Sequence, residues 1–191
     1  MLIFAAMAYE EPMKDGSEVL DENLILRSGA GEKEAFCELY KQTSNAVFSY
    51  ALSILRNPDD AEDAMQETFL HIRSAAHLYK CQGKPMAWIL TIARNVCLMK
   101  FRQKRHVVSL SYEEVPEELD CSQIEEEEDR LILETAFRIL SKEECQMIVL
   151  HAVSGMKHRE ISEIMKIPLS TVLSKYNRGI KKLREQLEEE R

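Results

Sequence analysis

From Ala35 onward the apolar residues Phe36, Leu39, Tyr40, Val47, Tyr50, Ala51, Ile54 and Leu55 recur at spacings near three, four and seven, which predicts an amphipathic helix. Asn57-Pro58 closes it and opens the next, with Asn57 as cap and Pro58 at the first helical position. Asp59 and Asp60 suit the positive end of that second helix. Ala61, Ala64, Met65, Phe69 and Ile72 form its inward stripe, leaving Asp60, Asp63, Gln66, Glu67 and Arg73 on the other faces. Taken alone, such a charged face is equally well an ordinary solvated surface. A loop containing Gly83 and Lys84 leads to Pro85, which opens a third helix with Trp88, Ile89, Ile92, Ala93 and Val96 on its apolar side. It ends in a basic run, Lys100, Arg102, Lys104 and Arg105, which the helix dipole alone would favour. Arg94 and Asn95 add the side-chain types that phosphates and base edges require, close to an aromatic segment.

Near the C-terminus, Ser141-Lys142-Glu143-Glu144 has the form of a capping box. Cys145, Ile148, Val149 and Ala152 follow as an inward stripe, and Gly155 is a natural stop. A short helix built on Ile161, Ile164 and Met165 precedes a turn at Lys166-Ile167-Pro168-Leu169. Ser170 is then placed to cap a last helix from Thr171, with Val172, Tyr176, Ile180, Leu183 and Leu187 inward. Its outward positions include Thr171, Ser174, Lys175, Arg178, Lys181, Lys182 and Arg184. A short helix, a tight turn and a second helix with a basic outer face fit a major groove. A plain helical hairpin with a charged surface is the alternative.

Composition narrows the field. The 191 residues include only 6 Gly and 5 Pro, with 45% hydrophobic and 30% charged residues, so helices around a buried core are favoured over many short strands. Net charge is −8, but it is uneven. Residues 1–21 carry −4, 22–106 carry +3, 107–130 carry −9 and 131–191 carry +2. The acidic stretch, with Pro116 and the run Glu125 to Asp129, reads as a solvated linker. Apolar periodicity returns at Leu131, Ile132, Leu133, Ala136, Phe137 and Leu140. The expected organisation is an all-α chain: a tail at 1–21, a helical domain at 22–106, a linker at 107–126 and a helix-turn-helix domain at 127–191. Because binding DNA requires Lys and Arg to neutralise phosphates, so acidic a chain is expected to read a duplex only with help.

Other chemistries find little support. Five cysteines (Cys37, Cys81, Cys97, Cys121 and Cys145) form no CxxC pair, which disfavours a disulfide framework and fits a reducing cytoplasm. The five histidines lack metal-ligand spacing, so no metal or cofactor is expected. No phosphate-cradling Gly loop or nucleophilic triad is visible, and no small-molecule substrate is expected. The apolar segment Met1 to Tyr9 is far shorter than the roughly 18 residues of a spanning helix and lacks a basic leader, so neither membrane insertion nor a signal peptide is expected.

Three of these segments, in order, resemble the sigma-70 family of transcription initiation factors. Asn57-Pro-Asp-Asp-Ala-Glu-Asp-Ala-Met-Gln-Glu-Thr-Phe69 is similar to the part that grips core RNA polymerase. Trp88-Ile-Leu-Thr-Ile-Ala-Arg-Asn95 is similar to the helix that melts and reads the minus-10 element. Gly155 through Arg184, with Glu160-Ile161, Ile167-Pro168 and Thr171-Val172, resembles the minus-35-reading helix-turn-helix. With two domains, covering about 22–106 and 127–188, the chain resembles the compact extracytoplasmic-function (ECF) group.

The resemblance implies that Asp60, Asp63, Gln66 and Glu67 dock on the polymerase clamp. It implies that the loop around Gln82 to Pro85, including Lys84, captures with Arg94 and Asn95 an unstacked base and the non-template strand of the minus-10 element, a flipping step that costs a few kcal/mol. Lys100, Arg102, Lys104 and Arg105 would hold phosphates, and Thr171, Ser174, Lys175, Arg178, Lys181 and Lys182 would meet the minus-35 duplex. The implied partners are core RNA polymerase, promoter DNA and an inhibitory anti-sigma factor, with no enzymatic activity. Lys166 departs from the family by replacing a usual Gly in the turn; if that residue is left-handed, its side chain costs about 1 kcal/mol or more. Lys157, Leu173 and Met99 also depart from the common pattern. The alternatives are a conventional helix-turn-helix regulator working without polymerase, and a sigma mimic that binds only protein.

Overall fold

The computed structural model describes residues 20–108 and 138–189, and every regular element among them is helical. The helices form two compact units, each described by itself. The first contains α1 (Glu22–Gly29), α2 (Lys33–Leu55), α3 (Pro58–Ala75), a short 3-10 turn (Ala76–Leu78) and α4 (Pro85–Val108). The second contains α5 (Lys142–Ile148), which runs on through a π-helical turn (Val149–Val153), then α6 (His158–Met165) and α7 (Leu169–Glu189).

In the first unit α2 is central, packing against α1, α3 and α4. Its second half is buried from Ala46 to Ile54, around nearly the whole circumference. The polar side chains this encloses are satisfied locally. The Thr43 hydroxyl donates to the Leu39 carbonyl at 2.7 Å, and Ser53 to Tyr50 at 2.6 Å. Phe36 and Tyr40, read as part of the inward stripe, lie at the rim, where both rings meet Phe69 of α3, at centroid distances of 6.2 and 4.7 Å. Asn57 caps α3 as the sequence predicts, its side chain accepting from the Asp60 N–H at 2.9 Å. The five residues of the predicted α3 stripe are all buried.

The pattern of apolar residues did not disclose α1. Asp21 caps this helix, and its Leu24 and Ile25 enter the core. It ends against the 3-10 turn so closely that a Cβ added at Gly29 would run into the Ala76 methyl. At the other end of the unit, α4 continues to Val108, two residues into the stretch read as linker. The rest of that linker and the apolar residues 131–137 lie outside the described residues.

In the second unit the capping box at Ser141 and Glu144 forms as predicted. Cys145, Ile148 and Val149 are buried against the unit's interior, with Ala152 half-buried. Both α5 and α6 pack on α7. Lys166 is left-handed, at φ 56° and ψ 42°, and its N–H bonds the Ser162 carbonyl. The Ser162 hydroxyl bonds the Ile167 carbonyl at 2.7 Å, tying the turn to α6. One prediction needs correction: α7 begins at Leu169, so Ser170 sits within its first turn and does not cap a helix from Thr171. The fixed φ of Pro168 turns the chain directly into the helix, and its carbonyl accepts from the N–H groups of Thr171 and Val172 at 2.9 and 3.1 Å.

Candidate functional site

On α3, Asp60 and Glu67 are half-buried while Asp63 and Gln66 are exposed. Their spacing of three, four and seven places them along one flank of the helix, away from the buried stripe. Leu70 continues that flank and is 65% exposed, an apolar position outside the inward stripe that the sequence reading passed over. Glu67 also reaches across to α4, where Lys100 approaches it at 3.1 Å. His71 lies on its other side at 3.8 Å.

The α4 residues do not form one surface. Asn95 and Arg102, seven apart, share the exposed face. Arg94 is half-buried and donates to the hydroxyl of the fully buried Tyr50. Burial pushes the Tyr50 phenol up, and the Arg94 charge partly offsets this. Lys100 is drawn toward α3 by Glu67. Arg94 therefore sits at the border of the buried stripe, and Lys100, four and seven residues after Val96 and Ala93, continues the line of that stripe toward α3, whereas Asn95 and Arg102 face outward. Lys104 and Arg105 are on the last turns of α4, and their side chains lie outside the described residues.

The loop before α4 is held by a residue the sequence did not single out. Glu22, at the start of α1, accepts a hydrogen bond from the Tyr79 hydroxyl at 2.9 Å. The Cys81 thiol and the backbone N–H groups of Gly83 and Lys84 converge on the same carboxylate. Burial opposes its charge, but these donors together hold the carboxyl below its ordinary pKa. Tyr79 is buried, and its ring meets Trp88 edge-on at 5.0 Å. Gly83 adopts φ 72°, a left-handed turn suited to glycine. With the backbone fixed from below, the side chains of Gln82 and Lys84 are exposed.

On α7, Ser174, Arg178 and Lys181 are exposed and Thr171 is half-buried. Lys175 pairs with Glu143 of α5. Lys182 donates to Glu144 at 2.7 Å, and Glu144 is only 3% exposed. Burial pushes Glu144 up, but Lys182 and the Ser141 cap outweigh it and lower its pKa. Lys182, read as part of the duplex-facing set, is thus turned back to fasten α7 to α5. Its place in the sequence looked outward because it sits at the border of the basic face, and the buried carboxylate across from it was assigned only a capping role.

The two units thus present an acidic helix flank, an anchored loop beside an Asn- and Arg-bearing helix, and a helix-turn-helix. Residues 39–107 match the family model of sigma-70 region 2, and residues 130–183 match that of sigma-70 region 4. The chain belongs to the sigma-70 family, in the ECF group. It is 28% identical over 166 residues to the ECF RNA polymerase sigma factor BldN of Streptomyces coelicolor, spanning 82% of this chain and 62% of BldN. It is 27% identical to the ECF sigma factor SigK of Mycobacterium ulcerans, over 86% of this chain and 92% of SigK. Among solved structures, the sigma factor RpoE of Bartonella quintana, in complex with the anti-sigma factor NepR, has a similar fold, with a TM-score of 0.67 and 22% identity. That match covers 82% of this chain and 98% of RpoE.

Proposed function

We propose that this alternative sigma factor directs core RNA polymerase to its promoters through two weakly cationic modules that become selective only on the enzyme. In this reading Asp60, Asp63, Gln66 and Glu67, continued by Leu70, dock on the polymerase clamp. The loop at Gln82 to Lys84, with Asn95, receives an unstacked minus-10 base, and Arg102, Lys104 and Arg105 follow the phosphates. Arg94 and Lys100 brace this surface through Tyr50 and Glu67. In the second unit Thr171, Ser174, Arg178 and Lys181 meet the minus-35 duplex, with Lys175 beside them.

The observation that carries the reading is the presence of both sigma-70 regions, in order, on one chain. The domain limits that go with it are 22–106 and 127–191, joined by the acidic linker. Charges of only +3 and +2 on the two blocks give little counterion release on DNA. Holding both at a fixed separation raises the effective concentration of each for its own element. We further propose an anti-sigma factor as the natural inhibitor, a cytoplasmic location, and a role confined to recognition and melting with no covalent chemistry. No described helix is long and apolar enough to cross a membrane.

Run-off transcription with purified core polymerase on a promoter library tests the proposal. Discrete transcripts that require the protein are expected. Their absence, with the protein binding paired half-sites unaided, would instead favour a conventional helix-turn-helix regulator.

A further inference from the structure

We infer that Glu22 is a positioning residue for minus-10 recognition: its carboxylate presets the loop at 79–84 in the form that receives the unstacked base. The inference rests on the reading above that this loop is the capture site. Glu22 lies before the segment matched to sigma-70 region 2, which begins at residue 39.

Four donors spread over six residues of loop converge on this one side chain: the Tyr79 hydroxyl, the Cys81 thiol, and the N–H groups of Gly83 and Lys84. Two are backbone groups, so the carboxylate fixes the path of the chain itself as well as the side chains along it. Gln82, which lies between these donors, has an exposed side chain. Tyr79 is held from its other side by Trp88, so the loop's first residue is fixed between α1 and the start of α4. A loop tied in this way loses little entropy when a base enters, whereas a free loop would have to be ordered by the base. A carboxylate suits the task because it accepts from several donors and offers none, leaving no proton to compete with the four.

The test uses holoenzyme reconstituted with full-length Glu22→Gln, Glu22→Ala or Tyr79→Phe protein. Its probe is a single-stranded deoxyoligonucleotide carrying the minus-10 sequence of a promoter selected by run-off transcription, with each position varied to the other bases. Core binding and thermal stability are measured alongside. For Glu22→Ala, probe affinity is expected to fall about tenfold as the loop's ordering cost returns, and discrimination at the captured position to shrink toward none, while core binding stays unchanged. Glu22→Gln keeps the volume and one acceptor and should fall between; Tyr79→Phe, lacking one donor, should show a smaller loss in the same direction. Unchanged base discrimination in both Glu22 variants would overturn the inference, even if stability drops, because that result assigns Glu22 a purely structural part. Failure of the wild-type holoenzyme to initiate on any promoter would instead remove the functional reading, and this inference with it.

Discussion

Lys166 occupies the left-handed turn of the helix-turn-helix at φ 56°. That conformation costs a side chain about 1–2 kcal/mol, and glycine in its place gives back about 0.5–1 kcal/mol through the entropy of the unfolded chain. Lys166→Gly should therefore stabilise the second unit by about 0.5–1 kcal/mol, measured by denaturant unfolding, whereas a β-branched residue there should destabilise it. A second residue-scale feature is the cluster of His151, His158 and Tyr176. The imidazoles stack at 4.5 Å, and each meets the tyrosine ring edge-on. The His158 Nε2 is buried without a hydrogen-bond partner among the described residues. Burial first, and the neighbouring His151 second, lower the His158 pKa below 6.5. The unfolded chain thus takes up this proton before the folded one does. The stabilisation is full above about pH 6.5 and is lost as pH falls through the lowered folded value. Hydrogen exchange of the α6 and α7 amides should accelerate between pH 7 and 5.5 after correction for intrinsic rates, and His158→Gln should flatten that dependence. The lysine's strain was foreseeable from its place in the turn; the histidine pair was not, because two histidines seven apart carry no sign of the tyrosine that a third element brings to them.

At the scale of elements, the fit of α7 against α5 turns on Gly179. A Cβ there would lie 2.8 Å from the Ile148 Cδ1 and 3.3 Å from the Glu144 Cβ. Gly179→Ala gains about 1 kcal/mol of helix propensity, and the flexible end of Ile148 can yield, so the two effects should nearly cancel. Gly179→Val has a smaller propensity gain and adds two methyl groups where the Cβ already crowds Ile148 and Glu144, so overpacking of about 1–3 kcal/mol should win. Thermal unfolding of the two variants checks the contrast, and equal stability would contradict it. Helices α2, α3 and α5 were legible because Asn57-Pro58, Gly155 and the Ser141 box punctuate their apolar periodicity. By contrast α1 was not, since its eight residues give only two turns of pattern and Gly29 owes its place to Ala76, far along the chain. Glu22 was missed with it: a carboxylate just after a helix cap looks like dipole chemistry until the loop at 79–84 is seen to bond it.

For the whole molecule, charge and sequence order were informative, whereas the assignment of individual cations was not. Sequence periodicity identifies which side of a helix faces away from its own core, but not which opposite charge waits on the neighbouring helix. Arg94, Lys100 and Lys182 all had partners supplied from elsewhere in their own unit, Tyr50, Glu67 and Glu144. Those partnerships leave fewer cations for DNA than the sequence suggested, which strengthens the expectation that neither module binds tightly alone. The most direct measurement compares the affinity of the full-length protein for its promoter and for a scrambled duplex, at about 0.15 M salt, with and without core polymerase. Weak and equal binding by the protein alone, becoming strong promoter preference on the polymerase, is the predicted result. Tight promoter-selective binding by the isolated protein, unaltered when the polymerase is added, would contradict it.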